Sequence, residues 1–297
     1  MGWWPFGQSE KAPLTAEQRA AITRLVTNPK YELIPLKKVR ETAEALPPGA
    51  RVTVTASPAH GLETTLDVSE WLAARGHEVV PHLSARMVRD RAHLADLLAR
   101  IRAIGIRKVF IVGGDAETPG EFTEALALLR ALHEVGHPFD DIGVTAYPEG
   151  HVNIADDVLM RVLKEKQQYA NYMASQMAFN PEAVSSWLAR VRAEGVTLPL
   201  DLGVLGVVEM TKLMTIAAKI GVADSARYLN KNRGLIGALA SPGAFGPDAF
   251  LKALAPMLAD PEAGVRGLHV FTMNQVASTA AWQKRMLEEL GGTHQSG

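Results

Sequence analysis

The chain has 297 residues, 47% of them hydrophobic and 21% charged, with 31 basic side chains against 32 acidic ones and no cysteine. That balance offers no broad attraction for nucleic acid or for an anionic membrane surface, and the missing thiols exclude disulfides, thiolate catalysis and cysteine-held zinc. What remains is a globular chain with apolar material for one large core, expected to act on a small molecule in the cytoplasm.

The start, MGWWPFG, lacks the basic and apolar segments of a signal peptide. Trp3, Trp4 and Phe6 read as an arm that docks on the chain's own body or on a second subunit, and a homodimer is expected from it. Residues 1–29 form an N-terminal extension with one helix, Thr15–Val26, and residues 30–297 form one catalytic body. From Tyr31 onward, short β-branched apolar runs alternate with longer amphipathic stretches, the pattern of a parallel sheet with crossover helices. The runs are Tyr31–Leu36, Arg51–Ser57, Glu78–Ser84, Lys108–Gly114, Asp141–Tyr147, Tyr172–Phe179, Leu198–Gly206 and Gly267–Asn274. Cores such as KVFIVGG and DIGVTAY are nearly continuous in apolar residues, as strands buried on both faces are. Eight such units are the number that closes a (β/α)8 TIM barrel, a single domain of the α/β class.

The intervening helices carry their own punctuation. Leu94, Leu97, Leu98, Ile101 and Ile104 recur at helical spacing before Gly105; Phe122, Leu126, Leu129 and Leu132 do so before Gly136. Asn180-Pro181 opens another helix with a capping residue and a first-turn proline, and Gly195 closes it. The exception is Val207–Arg266, where three helical stretches, Glu209–Ile220, Asp224–Ala240 and Pro247–Leu258, elaborate the connection between strands seven and eight.

Barrels place their chemistry where strands end, so polar residues there carry the functional expectation. They are Glu32, Thr55, Ser57, His82, Ser84, Asp115, Tyr147, Glu149, His151, Gln176, Asp201 and Asn274. Glu32, inside the run YELIPL, either faces solvent or is buried; buried, it suits a general acid. The Gly113-Gly114-Asp115 turn is either backbone geometry with Asp115 capping the next helix, or the seat of a functional aspartate. His82 and His151 fit no metal-ligand spacing, and no metal is expected. The sequence holds neither G-x-G-x-x-G after a strand nor G-x-x-x-x-G-K, so a nucleotide would be held by the barrel mouth itself.

Taken in order, these segments resemble the catalytic barrel of methylenetetrahydrofolate reductases. YELIPLKK looks like that family's F-E-F-F-P-P segment, VVPHLS like its P-H-L-T, and IVGGDAETPG like its L-R-G-D-P-P. TAYPEGH is similar to A-Y-P-E-G-H, SQMAFNPEAV to T-Q-x-F-F-D, and GLHVFTMN to G-x-H-F-Y-T-L-N, over residues 30 to 290 altogether. The resemblance implies reduction of 5,10-methylenetetrahydrofolate to 5-methyltetrahydrofolate, with Glu32 and Asp115 catalytic and Gln176, Asp115 and Asn274 on the folate. NADH or NADPH is the implied hydride donor, with Ser57, His82, Tyr147, His151 and Lys166 on the cofactor side.

Family members ordinarily carry FAD. The helix after Y-P-E-G-H normally offers it an Asp, an Asn and an Arg-Lys pair, where this chain has Leu159, Val162, Glu165 and Lys166, and the arginine of the R-G-D turn is Gly113. Losing two cations and two polar contacts removes charge-assisted bonds that hold a diphosphate, so the expectation is a protein without FAD that moves hydride directly. Two other readings stay open at this point: a folate-dependent methyltransferase and a pterin-binding barrel without catalysis.

Overall fold

The computed structural model describes residues 13–151, 153–208 and 247–291. The aromatic arm, Glu209–Ile220 and Asp224–Ala240 lie outside the described residues.

Eight parallel strands close into a barrel in sequence order. They are β1 (Lys30–Leu33), β2 (Arg51–Val54), β3 (Glu78–Ser84), β4 (Lys108–Val112), β5 (Asp141–Ala146), β6 (Tyr172–Ser175), β7 (Leu200–Leu205) and β8 (Val265–Phe271). Closure comes from β1, which pairs with both β2 and β8. Among the described residues the helices are α1 (Ala16–Thr27), α2 (Val39–Ala43), α3 (Gly61–Ala73), α4 (Arg91–Ile104), α5 (Ala125–Val135), α6 (Asp156–Lys166), α7 (Pro181–Ala193), α8 (Pro247–Ala253), α9 (Ala255–Ala259) and α10 (Val276–Gly291). The stretch expected as one helix over Pro247–Leu258 is broken into α8 and α9 at Leu254, with Pro256 in the first turn of the second. None of the described helices is long and apolar enough to cross a membrane.

The helix ends follow the local chemistry expected of them. Thr15 and Gln18 form a reciprocal capping box at the start of α1, Asp90 accepts from His93 N at 2.7 Å to start α4, and Asn180 accepts from Ala183 N at 3.0 Å to start α7. Outward-facing strand residues such as Val52, Leu83, Ile111 and Val144 are buried under the helices in the main core. Because that face is dry and the strands are paired on both sides, the alternate, inward-facing positions are the ones free to carry polar groups.

At the base of the barrel they do. Lys30 Nζ lies 2.6 Å from Asp201 Oδ2, each side chain 1% exposed, and Arg266 reaches both Asp201 (3.0 Å) and Asp141 (3.1 Å). Lys30 and Arg266 also lie over the Tyr172 ring, at 3.9 and 3.7 Å. Burial draws the Lys30 ammonium down to about 8 against the pull of Asp201; burial of Asp201 is outweighed by Lys30 and Arg266, which hold its carboxyl below its usual range. Asp201 was expected at a strand end facing the mouth. It is instead the second residue of β7, at the opposite end, and belongs to this structural network.

The expected strands also run too far at their C-terminal ends. β1 stops at Leu33 rather than Leu36, β2 at Val54 rather than Ser57, β6 at Ser175 rather than Phe179, and β8 at Phe271 rather than Asn274. Apolar residues among the additional ones, such as Leu36, Met177 and Phe179, pack together at the mouth, but Pro35, the Gly113-Gly114 pair and the positive φ of Met273 (47°) and Asn274 (55°) carry the backbone out of the ladder.

Candidate active site

The mouth is held together by the turn after β8. Thr272 Oγ1 donates to the Glu32 carbonyl at 2.5 Å, and the Asn274 side chain accepts from Ile34 N and donates to Ile34 O, both at 2.9 Å. Asn274 therefore extends the β1–β8 pairing with its amide after the backbone has turned away. Its left-handed conformation, about 1 kcal/mol or more of strain for a residue other than glycine, is offset by those two bonds. Both ends of the amide expected to meet folate are thus committed to Ile34.

Between these ties sits Glu32, 8% exposed, which decides between the two readings of it: it is buried, facing inward. Its Oε2 is 2.9 Å from Nε2 of His269 on β8. His82, on β3, lies against the same pair: its ring is 4.8 Å from Phe110 and 6.0 Å from His269. Burial first, then His269 and Lys30, keep the His82 imidazole well below its ordinary range and therefore neutral. His82 Nε2 and His269 Nδ1 are buried without a hydrogen-bond partner.

Glu32, His82 and His269 are also one group of metal-type donors, with ligand atoms within 4.8 Å of one another. Ligands at zinc distances sit about 3.3 Å apart around the ion. Here two donors are closer than that, at 2.9 Å, with a proton to share, so the arrangement as it stands is a hydrogen-bonded one.

The other expected residues fall into two places. Asp115 is exposed in the loop after β4, and Gln176 is exposed at the end of β6 with its Oε1 accepting from Met177 N at 2.9 Å. Asp115 does not cap the next helix, since α5 starts at Ala125 after Glu124. The turn before it is tight: a Cβ on Gly114 would lie 1.8 Å from Ser84 Oγ. Ser57 is half-buried after β2, where its carbonyl accepts from His60 N and Gly61 N, both at 3.0 Å, and leads the chain into α3.

Tyr147 and His151 meet edge to face at 5.1 Å beyond β5. Tyr147 also lines a cavity of about 170 Å³ between the ends of β4 and β5 and helix α6, together with Gly113, Glu124, Leu159, Val162 and Lys166. Lys166 is 8% exposed; burial draws its ammonium down to about 8, opposed by the charge of Glu124. Among the expected cofactor residues, Tyr147 and Lys166 share this cavity, while His82 lies with Glu32 inside the barrel. Glu149 of the same Y-P-E-G-H segment is structural: its Oε1 accepts from Phe179 N (2.8 Å) and Asn180 N (2.6 Å), tying the β5 loop to the start of α7.

A family model described as methylenetetrahydrofolate reductase matches residues 26–287, from α1 to α10. The chain belongs to the methylenetetrahydrofolate reductase family. Two curated relatives, both from Schizosaccharomyces pombe, agree: methylenetetrahydrofolate reductase 2 is 29% identical over 40% of this chain and 22% of its own length, and methylenetetrahydrofolate reductase 1 is 24% identical over 65% and 32%. The match thus spans less than a third of either relative. Among solved structures, an aminoacrylate-bound tryptophan synthase from M. tuberculosis aligns over 83% of this chain and 96% of its own at 15% identity, with a TM-score of 0.43.

Within the reductase family frame, the residue the motifs did not single out is His269. It stands inside the quoted GLHVFTMN segment, and only the closed register of β8 against β1 brings it to Glu32. Inward-facing polar residues at alternate positions, Lys30 and Glu32 on one strand and His269 on the next, were the available signal.

Proposed function

We propose that this protein reduces 5,10-methylenetetrahydrofolate to 5-methyltetrahydrofolate with NADH or NADPH, passing hydride directly from the nicotinamide to the folate's one-carbon unit. The observation that carries this reading is the buried Glu32 carboxyl, held by His269 while Thr272 holds the backbone carbonyl of the same residue, at the floor of the mouth of a family barrel.

The substrate holds its one-carbon unit between two nitrogens, so one carbon–nitrogen bond has to open to an iminium before hydride can add. Glu32 supplies the proton to the departing nitrogen, a general-acid role worth about 10²–10⁴ in rate. Asp115 and Gln176, exposed at the rim, hydrogen-bond the pterin, and the Asp115 carboxylate stabilises the cation that forms. Lys166 faces the negatively charged part of the nucleotide: a buried ammonium opposed by the charge of Glu124, and without an ion pair among the described residues, gains a charge-assisted contact from a bound phosphate.

A resident flavin does not suit these residues. The α6 side of the cavity offers Leu159 and Val162, Glu165 pairs outward with Arg130 at 3.4 Å, and Gly113 brings no side chain, which leaves Lys166 and Arg190 as the cations of the lining.

The test is to follow NADH or NADPH absorbance with the purified protein, with and without methylenetetrahydrofolate, for the wild type and Glu32→Gln. The expected result is folate-dependent oxidation that falls at least about 100-fold in the variant, with folate affinity within a few-fold, since the amide keeps the shape and lacks the proton. Folate binding without oxidation would favour a pterin-binding barrel. Methyl transfer to a thiol or corrinoid acceptor without nicotinamide use would favour a methyltransferase.

A further inference from the structure

Two of the chain's five tryptophans and one phenylalanine, Trp3, Trp4 and Phe6, stand within its first six residues, and the proposed reaction uses none of them. Large rings grouped in this way are the mark of a segment that meets an apolar surface. The described chain begins at Pro13, just before α1, so the surface within reach is the one around that helix.

The base of the barrel offers such a surface. α1 packs against α9, α10 and β8, and where α1 meets the end of α9 and the start of β8 there is a groove of about 450 Å³. Ala20, Ala21 and Arg24 line it from α1, and Leu258, Ala259 and Gly264 line it from the other side. Four of these six are alanine or glycine, so the groove is open because its own side chains are too small to fill it. Arg24 is exposed but held: Nη1 and Nη2 both donate to the Val265 carbonyl, at 3.3 and 3.2 Å, which fixes the guanidinium plane at the rim. A fixed guanidinium face beside small apolar walls suits a flat aromatic ring, tryptophan best of all. The cavity beside α3 and α4 is lined by Glu63, Arg86 and Arg89, lies at the mouth, and offers charges instead.

We propose that residues 1–12 turn back along α1 and seat Trp3 and Trp4 in the groove between α1 and α9 of the same chain, with Arg24 against an indole face. The reach is sufficient. Ala20 and Arg24 lie five and nine residues beyond Thr15, roughly 7.5 and 13.5 Å along the helix axis. Extended chain from Phe6 to Pro13 spans up to about 23 Å, and Trp4 and Trp3 reach further still. Because the groove is at the opposite end of the barrel from Glu32, the seated arm ties α1 to α9 and to the first residue of β8, and acts on the barrel base rather than on turnover.

The experiment is disulfide trapping, which a chain without native cysteine makes clean. Gln8→Cys is combined with Ala20→Cys in the full chain, and the same pair is placed in a chain that also carries Trp3→Ser, Trp4→Ser and Phe6→Ser, as the control for tethering alone. Circular dichroism checks the fold of each. Under mild oxidation the expected result is an intrachain disulfide that forms at least about 10-fold faster with the aromatic arm than with the serine arm, at a rate independent of protein concentration. Equal rates in the two chains overturn the proposal. Disulfides formed mainly between chains, at a rate that rises with concentration, also overturn it and give the groove to the arm of a second copy. If a cysteine variant does not fold, hydrogen exchange of the full chain with and without the three serine changes decides: about 10-fold loss of protection in α1 and α9 is expected with the serine arm, and unchanged protection overturns the proposal. None of these outcomes depends on whether the chain reduces a folate.

Discussion

Lys166 shows how one side chain can be costly to the fold and useful to a ligand. An ammonium this buried, without an ion pair among the described residues, is lowered to about 8 because the charged form is poorly solvated, with Glu124 opposing in part. In the folded chain it gives up its proton near pH 8, in the unfolded chain near pH 10.4, so the unfolded state binds more protons in between and stability rises with pH across that window. Lys166→Met should remove this increment, seen as a difference between variant and wild-type denaturation midpoints that narrows from pH 8 to pH 10. The same change should raise the NAD(P)H KM about 10-fold or more, the worth of a charge-assisted contact, and leave folate KM within a few-fold. An unchanged nucleotide KM would take Lys166 out of the nucleotide site. Asp115 was legible from its place after β4 as a mouth residue, but only the start of α5 at Ala125 separates it from a helix cap.

Among the elements, the strands were legible because both faces of a parallel barrel strand are dry, and their runs of Val, Ile and Leu stand out from amphipathic helices. Their ends were not. Residues such as Leu36, Met177 and Phe179 stay apolar beyond the last ladder bond because they pack with Ile34, Leu205 and Met273 at the mouth, so hydrophobicity does not mark where pairing stops. Nor does a polar residue within a run say which end of the barrel it faces. Glu32 and Asp201 both interrupt apolar segments; one meets His269 toward the mouth and the other meets Lys30 and Arg266 at the base. The two should respond differently to neutralisation. Asp201→Asn leaves Lys30 buried without its counter-charge and is expected to cost about 3–5 kcal/mol in urea denaturation, whereas Lys30→Met combined with Asp201→Leu should recover much of that loss. A single Asp201→Asn change within about 0.5 kcal/mol of wild type would mean that the base network is not held together by charge.

At the scale of the whole molecule, closure is what makes the site. β1 and β8 lie far apart in the chain, and the pairing of Lys30 with His269 and Glu32 with Phe271 sets the acid beside its imidazole. The spacing of residues along the sequence could indicate eight strands and the order of the family's motifs, but not the stagger between first and last strand, which is why Glu32 was legible as an acid and His269 was not legible as its partner. In the proposed reaction, hydride passes in a single complex of nicotinamide, folate and protein. Initial rates measured while both substrates are varied, on protein whose flavin content has been determined by absorbance, test it most directly. A colourless protein and intersecting double-reciprocal lines are expected, because both ligands have to be present together. A yellow protein near one flavin per chain, bleached by NADH alone and giving parallel lines, would contradict it and return the reaction to a flavin relay.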